Sequence, residues 1–332
     1  MKNFAIGTFS LSQGSRFAGV VLDGRVLPLS ELARHNASAS ALAGKTVLGL
    51  LDDWDAILPV LNSAVSDLPE TVQWLPLDDL QTYAPVDLPR QIFCTGANYR
   101  KHVVDLTLDM KVGPEGLDEA GLRAWAEKMM DDRLATGEPY VFTKPVSAVA
   151  GPFDDLVLPR TTSQPDWELE LAVVIGRGGY RIPLERAWDH VAGFTIVNDI
   201  SARDLIARTD YKMLGTDWLR SKGQPGFLPM GPFLVPRHCV PDPHKLAMRL
   251  TVSGKVMQDE TTADMLFGIE RQIEYISRFS RLLPGDIICT GSPAGNGTHH
   301  KRFLQEGDVM EASIEGLGSQ RQLCVAQGDH EA

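Results

Sequence analysis

The sequence predicts an α+β fold that is predominantly β, with helices at its periphery. Short strand-like segments follow one another through most of the chain, and many of the 30 Gly and 21 Pro residues separate them. A regular alternation of strand and helix, which a parallel α/β sheet would require, is not apparent. The 332 residues are enough to bury one large or two smaller cores.

The first 85 residues are predicted to form a small N-terminal α/β domain. Two strands are predicted at 16–22 and 25–29, on either side of Asp23-Gly24, a dipeptide typical of a tight β-hairpin. Residues 47–65 are predicted to be helical. The hairpin and the helix together would form a compact unit ahead of the main domain.

A linker is predicted over residues 75–89, because Pro76, Pro85 and Pro89 interrupt any regular element there. The main domain is therefore predicted over residues 86–332. Neither an internal repeat nor a low-complexity tract is evident in the sequence.

Two carboxylates, Glu168 and Glu170, stand at alternate positions within the segment 166–176, which continues as an apolar strand. Alternate residues of a strand point to the same face, so these side chains are expected to lie together. Their repulsion would raise both pKa values unless a cation lay between them, and a hard divalent cation with oxygen ligands is the simplest such partner. The alternative is an exposed edge strand with two surface acids.

A third carboxylate, Asp199, follows a helix-like run at 183–191 and a second apolar strand predicted at 193–197. An Asp at the mouth of a buried strand is well placed to supply another oxygen ligand. Three carboxylates with open positions suit Mg²⁺, Mn²⁺ or Ca²⁺. The alternative is that Asn198-Asp199 forms a turn, or the N-cap of a helix beginning near Ser201.

Composition excludes several classes of function. A net charge of −11 argues against a nucleic-acid partner, which would need clustered Lys and Arg. The four cysteines show no CxxC spacing, so neither a zinc site nor a redox pair is indicated. The N-terminus has no long apolar segment and no run approaches the length of a membrane span, so a cytoplasmic protein without membrane contact is expected.

From about residue 90 to 318 the chain resembles the fumarylacetoacetate hydrolase family, and within it a bacterial member of the acylpyruvate or diketo-acid hydrolase kind. The family's Glu-x-Glu strand and its Asn-Asp-x-x-Ala-Arg-Asp segment correspond to residues 168–170 and 198–204. Further matches, in the family's order, are GANYRKH (96–102), FTKP (142–145), SKG (221–223), PMGP (229–232), LPGD (283–286) and TGSP (290–293). The ordered series, more than any single motif, carries the resemblance.

The resemblance implies that residues 86–332 form a mixed, rolled β-sandwich, with an inserted segment at 105–138 that orders over the substrate as a lid. Part of this segment has apolar residues near helical spacing, so one face of a helix could pack onto the protein. These residues are Leu122, Trp125, Met129 and Met130. A surface helix with a docked apolar face is the alternative to a lid.

The resemblance assigns the metal to Glu168, Glu170 and Asp199, with Mg²⁺ expected and Mn²⁺ or Ca²⁺ as alternatives. His102 is the candidate general base, because imidazole titrates near physiological pH. Asp105 lies three residues later on the same helical face and is expected to orient the ring. It stands where the family's dyad has Glu, and its side chain is one methylene shorter.

The candidate substrate contacts also follow from the resemblance. Lys222 is expected to hold the substrate and stabilise developing negative charge. Arg100 can pair with a carboxylate through two hydrogen bonds. Ser292 keeps the hydroxyl of the Thr in the family's loop. The other candidates are Tyr99, Lys144, Gln224, Thr290 and Gly291. For Arg100 and Lys144 a solvated surface role is the alternative.

The implied function is metal-dependent hydrolysis of a carbon–carbon bond in a small 2,4-dioxo acid of acylpyruvate or fumarylacetoacetate type, in aromatic or sugar-acid catabolism. Alternatives on the same site are a 2-oxo acid decarboxylase, a hydratase and a hydroxymuconate-type isomerase. A non-catalytic metal-binding relative is an alternative of another class. His102 favours hydrolysis, because simple decarboxylation requires no activated water. A homodimer is expected because family members are commonly dimers.

Overall fold

The structure is a computed structural model that describes residues 3–12, 14–69 and 71–328. Its strands are β1 (Ala5–Ser10), β2 (Phe17–Leu22), β3 (Arg25–Pro28), β4 (Leu75–Pro76), β5 (Gln81–Tyr83), β6 (Ile92–Gly96), β7 (Tyr140–Thr143), β8 (Val149–Ala150), β9 (Leu156–Leu158), β10 (Pro165–Asp166), β11 (Leu169–Ile175), β12 (Val191–Asn198), β13 (Ser201–Ala202), β14 (Leu228–Pro229), β15 (Val235–Pro236), β16 (Ala247–Val252), β17 (Lys255–Thr261), β18 (Ile287–Cys289), β19 (Val309–Ile314) and β20 (Gly318–Ala326). Its α-helices are α1 (Leu29–His35), α2 (Val47–Leu51), α3 (Trp54–Ser66), α4 (Arg100–Met110), α5 (Glu119–Thr136), α6 (Trp218–Lys222), α7 (Ile269–Phe279) and α8 (Gly297–His300). The predicted α+β class is confirmed.

Three larger sheets organise the chain. An N-terminal sheet has the order β4-β3-β2-β1-β5, a central sheet β15-β12-β11-β18-β6-β7, and a third sheet β17-β16-β19-β20-β9. The short pairs β10-β13 and β14-β8 complete the β structure of the described residues. Most pairings are antiparallel, but β18 and β6 run parallel, so the central sheet is mixed.

The N-terminal hairpin forms as predicted, with Asp23 and Gly24 both at positive φ, 48° and 70°, as a tight turn between β2 and β3 requires. The predicted helix at 47–65 is present as two helices, α2 and α3. The proline-rich stretch at 75–89 differs from a plain linker, because it supplies β4 and β5 to the N-terminal sheet. Pro76 is tolerated there because β4 is an edge strand.

Apolar residues from both sides of residue 85 share one core. Ile6 and Leu61 of the N-terminal region belong to the same buried cluster as Ala172 and Val174 of β11. The domain boundary at 85/86 therefore stays a prediction, and the N-terminal sheet is packed against the central sheet rather than held at the end of a free linker.

Strand β11 lies in the middle of the central sheet, between β12 and β18. All seven of its residues are buried. Leu171 and Val173 face one core cluster, whereas Ala172 and Val174 face the other. The exposed edge strand considered as an alternative for the two glutamates is therefore excluded.

Two helix predictions differ in detail. The run at 183–191 forms a 3₁₀ helix, Leu184–His190. No α-helix starts near Ser201, which lies in β13 and is followed by a 3₁₀ turn, Arg203–Leu205. The first of these 3₁₀ helices leads directly into β12, which begins at Val191.

Helices α4 and α5 pack against each other as a hairpin that connects β6 to β7 of the central sheet. Val104 of α4 and Ala126 and Met130 of α5 make a small apolar core with Leu266 and Phe267. The apolar face predicted for the inserted segment is therefore docked, with Trp125 and Met129 packed partly against the same core. Among the described residues, no helix is both long enough and apolar enough to cross a bilayer.

Candidate active site

The pairing of β11 with β12 brings the three predicted metal ligands together. Leu169 is opposite Asn198 and Glu170 is opposite Val197, and the backbone N–H of Asp199 donates to the carbonyl of Glu168 at 2.8 Å. The carboxylates of Glu168, Glu170 and Asp199 are all buried, and their oxygens lie within 4.8 Å of one another. The strand register therefore converts two separate sequence signals into one acidic cluster.

Three cations neutralise part of this cluster. Lys222 Nζ lies 2.6 Å from a Glu168 oxygen and 2.5 Å from an Asp199 oxygen. Lys144 Nζ donates to Asp199 and also to the Ile200 carbonyl, at 3.0 Å. Arg203 bridges Glu168, at 2.5 Å, and the buried Asp166, at 2.7 Å. The surface role considered for Lys144 is wrong, because this side chain is buried.

The neighbouring cations do not affect the three carboxylates equally, and the pKa values of Glu168 and Glu170 shift in opposite directions. Burial opposes ionisation of Glu168, but Arg203 and Lys222 outweigh it and lower its pKa. Burial and the neighbouring Asp199 instead raise the pKa of Glu170 well above its usual range. Glu170 accepts one hydrogen bond, from the backbone N–H of Gly291 at 2.7 Å, and forms no ion pair. It is the member of the cluster that lacks a neutralising partner.

This donor set fits a divalent cation. Three buried carboxylates within ligand distance of each other supply the hard oxygen ligands that Mg²⁺, Mn²⁺ and Ca²⁺ prefer. An unneutralised buried carboxylate beside two others is costly without added positive charge. Glu168, Glu170 and Asp199 are therefore the residues that would hold the ion.

A cavity of about 380 Å³ opens onto the cluster. Helix α4 contributes one face to it, because His102, Val103, Leu106 and Met110 line the cavity and recur at helical spacing. Glu168, Glu170, Asp199, Arg203, Lys222 and Ser292 also line it. The predicted general base and the predicted metal ligands therefore share one cavity.

His102 is held as a neutral imidazole. Burial lowers its pKa to about 4, with smaller lowering effects from Arg203 and Lys222 and an opposing effect from Glu168. Above about pH 4 the ring is therefore free to accept a proton.

Asp105 does not face His102 in this arrangement. Its carboxylate lies 3.9 Å from the Arg123 guanidinium of α5, and no hydrogen bond joins it to the imidazole. It is also absent from the residues that line the cavity. The pair is on one side of α4 by spacing, but the α4–α5 contact draws the shorter Asp side chain toward Arg123.

The predicted substrate contacts divide into two groups. Ser292 reaches the cavity, and its hydroxyl accepts a hydrogen bond from Gln258 at 3.0 Å. Arg100 instead pairs with Asp131 at 2.6 Å on the outside of the hairpin. Tyr99, Gln224, Thr290 and Gly291 do not line the cavity either.

Several of these residues hold the surrounding backbone and core in place without lining the cavity. Thr290 donates its hydroxyl to the Leu171 carbonyl at 2.8 Å and so ties the loop to β11. Gly291 has φ +100°, and a Cβ there would lie 2.9 Å from Asn98 Cβ. Glycine is therefore needed for the backbone N–H to reach Glu170. Tyr99 is a core residue whose hydroxyl contacts Met248 Sδ at 3.6 Å.

Arg203 was not among the predicted site residues, although it lies in the same family segment as Asp199. Its position in that segment is the sequence feature that could have identified Arg203 as a site residue. The aromatic residues Phe142 and Trp218 also line the cavity, with ring centroids 4.6 Å apart in a stacked arrangement. Sequence spacing does not predict this contact, because Phe142 of β7 and Trp218 of α6 are 76 positions apart in the chain.

Replacement of Arg203 by Met is expected to lower the free energy of unfolding of the metal-free protein by about 3 kcal/mol, because it leaves the buried Asp166 without its cation. Urea denaturation in EDTA measures this loss. Arg186→Met breaks an ion pair with Asp189 in which both side chains are exposed, and is expected to cost less than about 0.5 kcal/mol. Equal, small losses in both variants would show that Arg203 is dispensable.

The mixed-sheet α+β fold places an acidic triad and a histidine in one cavity, the arrangement of a candidate metal-binding active site. The sequence model described as fumarylacetoacetate (FAA) hydrolase C-terminal matches residues 91–325. The chain therefore belongs to the fumarylacetoacetate hydrolase family, as the resemblance predicted.

Two relatives and one solved structure illustrate the family's range. Oxaloacetate tautomerase FAHD2A, mitochondrial, from Bos taurus is 37% identical over 277 residues, which are 82% of this chain and 78% of the relative. A 2,4-didehydro-3-deoxy-L-rhamnonate hydrolase from Sphingomonas sp. is 43% identical over 188 residues, 56% of this chain and 64% of the relative. The fumarylacetoacetate hydrolase of Exiguobacterium antarcticum superposes with a TM-score of 0.73 at 28% identity, covering 98% of this chain and all of that one.

Proposed function

We propose that this protein is a divalent-metal-dependent hydrolase that cleaves a carbon–carbon bond in a small 2,4-dioxo acid. The observation that carries the proposal is the meeting of the acidic triad and a neutral His102 in one cavity. The carboxylates come from β11 and from the residues next to the β11–β12 pair, and α4 supplies the imidazole.

Mg²⁺ is the proposed ion, held by Glu168, Glu170 and Asp199. When bound, such an ion supplies Lewis-acid chemistry to the carboxylate and neighbouring oxo oxygens of an oxo acid. Arg203 and Lys222 pair with Glu168, and Lys222 and Lys144 pair with Asp199, so these ion pairs orient both carboxylates. The Gly291 N–H holds the Glu170 carboxylate in place.

His102 acts on water in this proposal. The imidazole accepts a proton while the water oxygen bonds to the carbonyl carbon at position 4 of the dioxo acid. The bond between carbons 3 and 4 then breaks, its electron pair stays on carbon 3, and that carbon takes up the proton. The products are pyruvate and the carboxylic acid of the acyl group, so one water is consumed per cleavage.

A second candidate is a keto–enol tautomerase or isomerase of an oxo acid. Two observations favour it. The Bos taurus relative carries the name oxaloacetate tautomerase at 37% identity over 82% of this chain. Asp105 also faces Arg123 instead of His102, so the pair expected to activate water is not assembled. Tautomerisation needs only a proton moved between oxygen and carbon 3.

The test is an assay of the purified chain with Mg²⁺, a panel of acylpyruvates and oxaloacetate, following both the enol absorbance and the release of pyruvate. Pyruvate released with the matching acid, abolished by EDTA, supports hydrolysis. Loss of enol absorbance from oxaloacetate without pyruvate supports the tautomerase. Absence of any metal-dependent reaction would support a non-catalytic relative and overturn both candidates.

Assembly and location remain predictions. A homodimer follows from the family resemblance alone. The cytoplasmic prediction also stands untested, and the Bos taurus relative is named as a mitochondrial protein.

A further inference from the structure

Most residues that line the active-site cavity belong to a charged group or an apolar group, and Thr95, Thr107 and Ser292 add hydroxyls. Apart from His102, the charged residues all belong to the cluster around the acidic triad: Glu168, Glu170, Asp199, Arg203 and Lys222. The larger apolar and aromatic residues of the cavity are Val103, Leu106, Met110, Val112, Tyr140, Phe142, Ile206 and Trp218. The cavity therefore offers no cation outside the cluster itself.

The cations of the cluster are already engaged. Arg203 pairs with Asp166 and Glu168, while Lys222 is shared by Glu168 and Asp199. With Lys144 and Glu170 included, four carboxylates oppose three cations and leave one unbalanced negative charge. A divalent ion would turn this into one unbalanced positive charge. That charge suffices for one substrate carboxylate and leaves none for a second.

The apolar group forms two walls. Val103, Leu106 and Met110 stand on one face of α4. Phe142 and Trp218 are stacked with an interplanar angle of 16°. The only polar atom of the Trp218 side chain is satisfied, because Nε1 donates to the Tyr140 hydroxyl at 2.8 Å. These walls present hydrocarbon and aromatic surface to the tail of a substrate whose head group lies at the charged cluster.

We propose, resting on the function proposed above, that the substrate is a monocarboxylate whose acyl tail is uncharged and apolar, and that the residues which select it are those of the two walls. An alkyl tail gains by leaving water for this surface. A second carboxylate placed against the two walls would lose part of its hydration without meeting an unpaired cation, which is unfavourable. Oxaloacetate, a dicarboxylate, is therefore expected to be a poorer ligand than an alkyl-tailed acid.

Binding of inert 2-oxo acids to the Mg²⁺-loaded full-length protein, measured by titration calorimetry, tests this without any cleavage. Pyruvate, 2-oxobutanoate, 2-oxopentanoate and 2-oxohexanoate share a head group and lengthen the tail one methylene at a time. Affinity is expected to rise about threefold to fourfold per methylene. The matched pair 2-oxohexanoate and 2-oxoadipate differs by the terminal carboxylate, and the monocarboxylate is expected to bind at least about tenfold more tightly.

Two charge-adding variants sharpen the test. Leu106→Lys places a cation on the α4 wall, and Met110→Lys does so at an exposed position where folding tolerates it. Either variant is expected to lower the ratio of the affinity for 2-oxohexanoate to that for 2-oxoadipate about tenfold, or to reverse the order of the two affinities. Leu134→Lys adds the same charge on the exposed surface of α5, away from the cavity, and is expected to keep the wild-type preference.

Equal or tighter binding of 2-oxoadipate by the wild-type protein would overturn the inference while the proposed function stands. The same holds if affinity does not depend on tail length. If none of the 2-oxo acids binds to the metal-loaded protein, the inference and the proposed function fail together.

Discussion

Glu170→Gln is expected to lower the affinity for Mg²⁺ or Mn²⁺ by at least about 100-fold, with turnover falling at least as far. Losing a partner of a metal ligand costs 10- to 100-fold, so loss of a ligand itself should cost no less. The Gln side chain can still accept the Gly291 N–H bond, so the loop should stay in place. The amide that then faces Glu168 and Asp199 carries no negative charge and cannot balance a divalent ion.

Glu170→Gln is expected to change the stability of the metal-free and the metal-bound protein in opposite directions. Without metal, Glu170→Gln removes one of three clustered carboxylates, so the variant should be at least as stable as the wild type. At saturating metal, a 100-fold loss of affinity should remove about 2.7 kcal/mol of the stabilisation that the ion contributes. Thermal melts with EDTA and with excess Mg²⁺ measure both, and Mn²⁺ titration followed by electron paramagnetic resonance measures the affinity directly.

The control is Glu185→Gln, the same substitution at an exposed glutamate of the 3₁₀ helix Leu184–His190. It should leave metal affinity, stability and turnover unchanged. Full metal affinity in Glu170→Gln would remove Glu170 from the metal site and, with it, the assignment of the triad.

His102→Ala is expected to lower turnover by about 10²- to 10⁴-fold, the range for removal of a general base. Metal affinity should stay within about twofold of the wild type, because His102 forms no hydrogen bond or ion pair with Glu168, Glu170 or Asp199. His102→Gln, which keeps a polar side chain in the cavity, should be as inactive, because an amide cannot take up a proton at neutral pH. Steady-state rates and Mn²⁺ affinity, measured on the same preparations, separate the two effects.

Asp105→Asn distinguishes two versions of the site. The carboxylate faces Arg123, so the expected loss of turnover is less than about tenfold. A loss as large as that of His102→Ala would mean that Asp105 turns toward the imidazole in the working enzyme and that the predicted dyad forms there. A wild-type rate in His102→Ala would remove the general base from the mechanism and leave the tautomerase as the better candidate.

Much of the site could be predicted from the sequence because its signals are local. Glu168 and Glu170 share a strand face whatever that strand pairs with. The apolar run after them predicts a buried strand, and buried carboxylates need a neighbouring cation. The hairpin at Asp23-Gly24 is equally local, since positive φ at both residues is a property of the turn itself.

Contacts between distant segments could not be predicted in this way. The family's dyad and helical spacing predict that Asp105 orients His102, but neither takes account of Arg123 of α5, which lies 3.9 Å from the Asp105 carboxylate. Pro76 indicated a linker, whereas the edge of the N-terminal sheet accommodates it in β4. Arg100 is the first residue of α4, two positions before His102, yet its side chain pairs with Asp131 on the outside.

The fold class, the family and the three carboxylates follow from the sequence, because strand-like segments, an ordered series of short motifs and acids next to apolar strands are properties of the chain itself. The tertiary structure alone decided how those carboxylates are balanced, since Lys144, Arg203 and Lys222 reach them from separate elements. It also decided that most of the remaining cavity surface is apolar, because α4, β7 and α6 meet there only in the folded chain. Charge balance and cavity shape depend on which distant side chains become neighbours, and folding sets those neighbours.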